Sequence, residues 1–174
     1  MARITGGRAS GRNIPVPVCS GVRPTSGRVR EALFSMLGWN VEGATFLDAF
    51  GGAGLVGLEA WSRGAAVTLV ERDRRAFKDI VQRGKTLEVE WTLHCRDVLR
   101  WAKGQGTFEI VFVDPPYALS IQPILETLES LVGQTLVVEN PPDSVLSEEI
   151  GGLTLDRVRT YGASALWVYQ RGGV

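Results

Sequence analysis

A carboxylate, two prolines and an aromatic residue, Asp114-Pro115-Pro116-Tyr117, end a hydrophobic run that is typical of a buried strand. The Asp114 carboxylate and the Pro115 carbonyl are hydrogen-bond acceptors, and the two prolines fix the backbone without offering a competing N–H. Two acceptors can hold the N–H groups of an amine whose lone pair is delocalised into an aromatic ring, and so make that nitrogen a better nucleophile. Tyr117 can stack on the same ring. The alternative is a proline-stiffened turn without chemistry.

A glycine-rich loop, Asp48-Ala-Phe-Gly51-Gly52-Ala-Gly54, follows the first strand of the predicted sheet. With Gly57 it satisfies G-x-G-x-x-G, a pattern that lets the backbone approach a ligand and points helix N–H groups at it. Glu71 ends the next strand, 19 residues after Gly52, where an acid can accept hydrogen bonds from ribose hydroxyls. A nucleoside ligand is therefore predicted, with a tight turn that binds nothing as the alternative.

The position of Asp48 distinguishes two kinds of nucleoside ligand. A dinucleotide would place its pyrophosphate on the loop, where the Asp48 carboxylate would repel it. S-adenosylmethionine brings an ammonium and a sulfonium instead, which the same carboxylate attracts. Charge thus favours the methyl donor over NAD.

Two further polar residues lie near the end of the third predicted strand. Asp97 can cap the next helix, bond to an adenine amino group, or do both. His94 lies in an apolar strand and is interpreted as a packed core residue rather than a base. Cys19 and Cys95 lack C-x-x-C spacing, and the chain has one histidine, so we expect neither a disulfide framework nor a bound metal.

Basic charge is concentrated at the N-terminus, although the formal net charge of the chain is zero. The first 30 residues contain six arginines and no acidic residue, namely Arg3, Arg8, Arg12, Arg23, Arg28 and Arg30. Guanidinium groups match phosphate oxygens and release counterions from nucleic acids. Charge alone leaves two interpretations open, an RNA-binding element and a solvated arm.

The hydrophobic pattern predicts alternating strands and helices, and therefore an α/β fold with a parallel sheet covered by helices on both faces. Predicted strands are 44–48, 66–71, 91–95, 108–114 and 134–139, and predicted helices are 54–63, 73–84, 97–103 and 121–131. The connection between the predicted strands 153–161 and 165–170 is too short for a helical crossover, so these strands should form an antiparallel hairpin. A hairpin-like segment, 3–18, and a helix, 24–37, precede the sheet.

Length and hydropathy limit the class of protein. A chain of 174 residues fits one domain. The N-terminus lacks a signal-peptide h-region, and no apolar run approaches the roughly 18 residues of a membrane helix. We therefore expect a cytoplasmic protein with no membrane contact.

Asp-Pro-Pro-Tyr after such a strand resembles the signature of S-adenosylmethionine-dependent amino methyltransferases. The whole chain is similar, more specifically, to RsmD-type guanine-N2 methyltransferases of small-subunit ribosomal RNA. That similarity is carried by Arg3-Ile-Thr-Gly-Gly-Arg8, Gly11-Arg12, Arg23-Pro24-Thr25-x-x-Arg28-Val29-Arg30-Glu31-Ala32-Leu33-Phe34, Leu47-Asp48-x-Phe50-Gly51-x-x-Gly54 and Gly57-Leu58-Glu59-Ala60.

The resemblance implies a Rossmann-like methyltransferase fold, with a seven-stranded, mostly parallel sheet whose last strand is antiparallel. It implies an N-terminal hairpin and helix extension, residues 1–40, packed on a core, residues 41–174. The expected catalytic residues are Asp114, Pro115, Pro116 and Tyr117. The expected cofactor-binding residues are Asp48, Phe50, Gly51, Gly52, Gly54, Glu71, Arg72, Asp97, Val98 and Thr25.

The implied reaction is methyl transfer from S-adenosyl-L-methionine to a guanine N2 amine of 16S rRNA, free or in a small-subunit assembly intermediate, by a monomeric enzyme. The six N-terminal arginines would bind this RNA, and residues 23–31 would lie over the donor and the incoming base. Ala53 departs from the serine or threonine usual in the family, so a minor hydroxyl contact is not expected. Rival functions are a DNA or RNA methyltransferase for adenine N6 or cytosine N4, an NAD-dependent oxidoreductase and a non-enzymatic RNA-binding module.

Overall fold

A computed structural model describes residues 1–16 and 25–172. The central sheet has the strand order β5-β4-β3-β6-β7-β10-β9-β8, and a separate two-stranded ribbon pairs β1 with β2. The strands are β1 (Ala2–Arg3), β2 (Asn13–Ile14), β3 (Thr45–Asp48), β4 (Ala66–Val70), β5 (Trp91–His94), β6 (Phe108–Val113), β7 (Val132–Asn140), β8 (Glu149–Ile150), β9 (Leu153–Tyr161) and β10 (Ser164–Arg171).

Helices connect the parallel strands, as the alternating pattern predicts. They are α1 (Gly27–Leu37), α2 (Leu55–Ser62), α3 (Arg74–Leu87), α4 (Val98–Trp101) and α5 (Ile121–Leu128), with 3-10 turns at Gly38–Val41 and Glu129–Leu131. The predicted helix 24–37 is observed from Gly27, and Pro24 and the end of the predicted segment 3–18 lie outside the described residues. Within the described chain, no helix combines the length and the apolar character needed to cross a membrane.

The sheet is Rossmann-like because its five parallel strands place the first strand, β3, between β4 and β6. Alternate residues of each strand enter different cores. Phe46 and Phe112 face the side covered by α1 and α2, whereas Leu47 and Val111 face the side covered by α4 and α5. Burial on both faces explains the nearly continuous apolar runs of these strands.

The C-terminal hairpin is confirmed. Strand β10 inserts between β7 and β9 and is antiparallel to both, and the turn between β9 and β10 contains Gly162 in a left-handed conformation (φ 62°). The antiparallel last strand completes the seven-stranded arrangement. An eighth strand, the two-residue β8, pairs with the start of β9 and was not expected, because two residues give no readable alternation.

Three acidic residues end adjacent strands on one face of the sheet. Asp48 ends β3, Asp114 follows β6, and Glu139 lies near the end of β7. Val113 pairs with Val138, so Asp114 and Glu139 leave their strands side by side. Two-residue alternation places all three side chains on the face covered by α1 and α2.

The N-terminal segment is held against this face by Glu59 of α2, which is only 1% exposed. Its carboxylate accepts hydrogen bonds from Thr5 N and Oγ1 (3.0 and 2.7 Å) and from Gly6 N (2.9 Å). Arg63 donates to it (3.1 Å), and the buried Arg30 guanidinium lies 4.0 Å away. One buried carboxylate therefore joins the N-terminal ribbon, α1 and α2.

Glu59→Gln should lower the free energy of unfolding by about 3 kcal/mol, because it leaves the buried Arg30 cation without its counter-charge and turns an amide donor toward existing donors. Urea unfolding followed by circular dichroism measures this change. The matched control is Glu126→Gln on the exposed side of α5, which should change stability by about 0.5 kcal/mol or less. Equal stability of both variants would contradict the proposed importance of Glu59.

Candidate active site

An open cleft with a volume of about 1020 Å³ lies at the carboxyl ends of the parallel strands, where doubly wound sheets bind ligands. It brings together most of the predicted site residues. Those that line it are Thr25, Asp48, Phe50, Gly51, Gly52, Glu71, Arg72, Asp97, Val98, Asp114, Pro115, Pro116 and Tyr117.

The glycines of the loop serve different purposes. Gly51 and Gly52 line the cleft, and a Cβ on Gly51 would lie 2.4 Å from Leu69 Cδ2. The expectation that Gly54 contacts the cofactor is not supported, because Gly54 is buried outside the cleft lining. Gly54 has a left-handed conformation (φ 71°) at the N-cap of α2, and a Cβ there would lie 3.0 Å from Ile80 Cγ1. Its conformation starts the helix rather than forming the site.

Asp48 is 1% exposed and is held by the start of α2. Its Oδ2 accepts a hydrogen bond from Gly57 N (3.0 Å), and a Cβ on Gly57 would lie 3.3 Å from this oxygen. Its buried Oδ1 makes no hydrogen bond of normal geometry within the described chain. Burial and, to a lesser extent, the charge of Glu71 raise the pKa of Asp48 to about 7, against the opposing effect of backbone hydrogen bonds from Gly57 and Phe50.

Glu71 follows the end of β4 and binds the backbone of the glycine loop. Its Oε2 accepts from Gly52 N (2.6 Å), and its Oε1 accepts from Asp73 N (2.6 Å). Each carboxylate oxygen offers two acceptor positions, so both can still accept a ribose hydroxyl. Glu71 thus has a structural contact that was not predicted, in addition to its predicted place in the cleft.

The helix-capping interpretation of Asp97 is confirmed. Its Oδ1 accepts from Leu99 N (3.1 Å) and Arg100 N (3.2 Å) at the start of α4. Asp97 also lines the cleft, so the adenine contact remains a prediction beside the cap. His94 is half-buried and its ring packs against Trp101, with the two ring centroids 5.1 Å apart.

Asp114 lines the cleft together with Glu139 and Asp48. Burial, together with the charges of Glu139 and Asp48, raises the pKa of Asp114 to about 8. A hydrogen bond from Thr25 Oγ1 to Asp114 Oδ2 (3.4 Å) acts in the opposite direction. A carboxyl group with this pKa is a stronger proton acceptor than an ordinary aspartate.

The two prolines and Tyr117 shape the remainder of this wall. The turn after Asp114 is closed through Pro116, whose carbonyl accepts from Leu119 N (2.9 Å). Pro115 is buried and its carbonyl receives no hydrogen bond from the described residues. Tyr117 is 50% exposed at the cleft, as a ring that stacks on an incoming base requires.

S-adenosylmethionine fits the chemistry of this cleft. The buried Asp48 Oδ1 lacks a donor with normal hydrogen-bond geometry within the described chain, and the cofactor carries an ammonium that can provide one. The acidic residues Asp48, Glu71 and Asp114 all line the cleft and favour a ligand with positive charge. The same carboxylates would repel a pyrophosphate.

The arginines predicted to bind RNA differ in their exposure and contacts. Arg3, Arg12 and Arg28 are exposed. Arg8 is also exposed, but its guanidinium lies over the Trp61 ring at 4.5 Å and donates to Trp61 O. Arg23 lies outside the described residues.

The prediction for Arg30 is wrong. Arg30 is 3% exposed, and its guanidinium donates to Thr25 O (2.8 Å) and Arg3 O (2.9 Å) beside Glu59. Its donors are therefore directed into the protein. Desolvation lowers the pKa of Arg30, and the charge of Glu59 opposes this shift.

Sequence reasoning missed a second wall of the cleft. Glu139 of β7 lines it together with Tyr161, Ala163 and Ser164 of the C-terminal hairpin. A signal for Glu139 was present, since Glu139-Asn-Pro-Pro repeats the pattern of a strand that ends in an acid followed by prolines. The hairpin residues carry no such signal, because only the insertion of β10 beside β7 brings them to the cleft.

The fold is that of an S-adenosylmethionine-dependent methyltransferase. It combines a parallel sheet that has an antiparallel last strand with a cleft formed by a glycine loop and acidic residues. Magnesium protoporphyrin IX methyltransferase (ChlM) from Synechocystis PCC 6803, solved with bound SAM, has this fold, with a TM-score of 0.67 at 17% identity over 82% of this chain and 79% of that chain. The putative methyltransferase yhhF from Escherichia coli matches with a TM-score of 0.86 at 34% identity over 97% of both chains.

Sequence comparison gives the family. Residues 2–170 match the model described as Conserved hypothetical protein 95. Ribosomal RNA small subunit methyltransferase D of Escherichia coli (strain K12) is 36% identical over 177 residues, which cover 97% of this chain and 89% of that protein. The chain belongs to this family of RsmD-type methyltransferases.

Binding of S-adenosylmethionine should release protons between pH 6 and 8. The pKa values of Asp48 and Asp114 are raised to about 7 and about 8, so both groups are mostly protonated at pH 6, and a cation favours their ionised forms. Affinity should therefore rise with pH across this range, with a slope of log affinity of up to about one per group. Isothermal titration calorimetry in buffers of different ionisation enthalpy measures the released protons.

The control ligand is S-adenosylhomocysteine, whose sulfur is neutral and whose affinity should depend less on pH. Asp48→Asn should remove part of the proton release, whereas Asp143→Asn in the exposed loop after β7 should not. Proton-independent binding by the unmodified protein would show that the cation does not approach these carboxylates.

Proposed function

We propose that this protein transfers a methyl group from S-adenosylmethionine to the exocyclic N2 amine of a guanine in small-subunit ribosomal RNA. The observation that carries the proposal is the position of Asp114. It lies beside the uncommitted carbonyl of Pro115 in the same cleft as the glycine loop. The E. coli relative named as a small-subunit ribosomal RNA methyltransferase supports the choice of substrate.

Asp114 and Pro115 bind the acceptor amine. The Asp114 carboxylate accepts one N–H and the Pro115 carbonyl accepts the other, which favours pyramidal geometry at nitrogen and makes its lone pair available. Tyr117 stacks on the guanine ring. Because a paired amine is hidden in an RNA helix, the guanine must be unpaired or flipped to reach these residues.

Proton removal accompanies formation of the N–C bond. When bound, S-adenosylmethionine would supply an electrophilic methyl group on a sulfonium, with a neutral thioether as the leaving group. The methylated nitrogen becomes acidic as it gains positive charge, and Asp114 or water accepts its proton. The raised pKa of Asp114, about 8, suits this step because it lies near neutral pH.

Rival functions fit the site less well. An oxidoreductase that binds NAD would place a pyrophosphate near the buried Asp48 carboxylate. We further propose that the enzyme acts as a monomer in the cytoplasm on 16S rRNA or a subunit assembly intermediate, with residues 1–40 as an RNA-binding extension of a core formed by residues 41–174.

The exposed arginines Arg3, Arg12 and Arg28 form the proposed RNA contact. Changing all three to glutamine should weaken RNA binding and reduce the slope of log affinity against log salt by about 2 to 3, because each arginine neutralises one phosphate. A filter-binding salt titration measures the slope. The control removes three exposed cations of α3 (Arg74→Gln, Lys78→Gln and Lys85→Gln), and an equal effect of both triple variants would indicate nonspecific attraction only.

Asp114→Asn tests the proposed reaction. Asparagine keeps the shape and one acceptor oxygen but loses the charge, so kcat should fall by roughly 10² to 10³, as for other preorganised electrostatic groups. Single-turnover transfer of a tritiated methyl group to 16S rRNA or small subunits from a methylation-deficient strain measures the rate. Nuclease digestion of the product identifies the methylated base.

The matched control is Asp143→Asn, which should retain the full rate. S-adenosylhomocysteine should bind both variants, as calorimetry can show. Undiminished transfer by Asp114→Asn would remove Asp114 from the mechanism, and a labelled adenine or cytosine would replace guanine with another acceptor.

A further inference from the structure

Thr25 contacts the proposed catalytic carboxylate from a different part of the chain. Its hydroxyl donates to Asp114 Oδ2 (3.4 Å), although 89 residues separate the two in sequence. Thr25 directly precedes Ser26, the N-cap of α1, whose side chain accepts from Val29 N. The start of α1 therefore fixes the backbone that carries this hydroxyl.

A buried arginine, Arg30, fixes the same backbone through a hydrogen bond. Arg30 Nη1 donates to Thr25 O (2.8 Å), and Nη2 donates to Arg3 O (2.9 Å). Glu59 lies beside the Arg30 guanidinium and binds the N-terminal ribbon through Thr5. A continuous set of polar contacts thus runs from the N-terminal ribbon through Arg30 and Thr25 to Asp114.

This arrangement exceeds what helix capping requires. Ser26 already caps α1, so neither the Thr25 hydroxyl nor the Arg30 contact to Thr25 O is needed to start the helix. Burial of an arginine is costly unless its donors are satisfied. Here one of those donors, Arg30 Nη1, holds Thr25, whose hydroxyl reaches the cleft acid.

We propose that Thr25 is a positioning residue for methyl transfer, whose hydroxyl orients the Asp114 carboxylate toward the acceptor amine while Arg30 and Glu59 hold Thr25 in place. The inference rests on the proposed function only for its kinetic test. A hydroxyl is suited to this position because it donates one hydrogen bond to Oδ2 and leaves Oδ1 of Asp114 for the amine.

The charges around Asp114 give this hydroxyl a second effect. Glu139 of β7 and Asp48 of β3 face Asp114, and both oppose its ionisation. From the α1 side the Thr25 hydroxyl favours ionisation and lowers the pKa of Asp114. Removing the hydroxyl should therefore raise the pKa of Asp114 and leave less of it ionised at neutral pH.

Three variants separate the hydroxyl from the shape of the side chain. Thr25→Val keeps the shape without the donor, and Thr25→Ser keeps the donor. Thr127→Val is the control, because Thr127 also makes a hydroxyl hydrogen bond, to Pro123 O on α5 (2.8 Å). The measurements are the pH profile of single-turnover methyl transfer, calorimetric affinity for S-adenosylhomocysteine, and urea unfolding between pH 5 and 9 without cofactor.

Thr25→Val should lower kcat about tenfold at pH 7 and move the acid limb of its pH profile upward by about half to one unit, as expected for one hydrogen bond. Thr25→Ser should stay within about twofold of the unmodified enzyme. An acid whose pKa is higher in the folded than in the unfolded state lowers the free energy of unfolding as pH rises, until the pH passes its folded-state pKa. In Thr25→Val the pH at which this fall ends should therefore move upward by the same amount. Thr127→Val should show neither shift.

Two results would overturn this inference. An unshifted pH profile and unfolding curve for Thr25→Val would show that the hydroxyl does not act on Asp114. A loss of S-adenosylhomocysteine affinity without either shift would instead make Thr25 a cofactor-binding residue. The unfolding curve does not depend on the reaction, so absence of methyl transfer by the unmodified protein would reject the proposed function and leave the Thr25 contact separately tested.

Discussion

Desolvation of acidic side chains at the carboxyl edge of the sheet is the constraint on which the site depends. Asp48, Asp114 and Glu139 end neighbouring strands on one face, and burial together with the charges of neighbouring acids raises the pKa of Asp48 to about 7 and of Asp114 to about 8. A fold gains nothing in stability from three partly desolvated carboxylates. A cationic ligand resolves the conflict, and the same burial makes Asp114 a capable proton acceptor. The positive charge of the methyl donor is thus complementary to the site as a whole.

The glycine loop and the first turn of α2 make that burial possible. Asp48 can lie beneath the helix because Gly57 has no side chain and provides its N–H at 3.0 Å. Glu71 fixes the loop by accepting from Gly52 N. Gly57 therefore serves the approach of helix to strand, whereas Gly54 starts the helix in a left-handed conformation, which explains why Gly54 belongs to the pattern but lies outside the cleft.

Much of the fold followed from the sequence because local patterns determined it. Apolar runs with acids at their ends gave β3 and β6, and the short spacing around Gly162 gave the β9–β10 hairpin. Features set by contacts between distant segments could not be read in this way. The position of Tyr161 in the cleft depends on where β10 inserts. The burial of Arg30 depends on Glu59, and an arginine has the same local sequence signal whether it faces RNA or a buried acid.

Arg30 also shows why charge counting misjudged the N-terminal segment. Of the arginines there, Arg30 is enclosed and Arg8 lies over Trp61, whereas Arg3, Arg12 and Arg28 face solvent. The basic composition therefore combines two functions. Buried and stacked guanidinium groups attach the segment to the core, and exposed ones remain available to phosphate. Because Glu59 binds the ribbon and Arg30 while Arg30 holds Thr25 beside Asp114, attachment of the segment and orientation of the cleft acid depend on one set of contacts. An RNA that binds the exposed arginines would therefore contact the same element that carries Thr25 beside Asp114, the proposed catalytic acid.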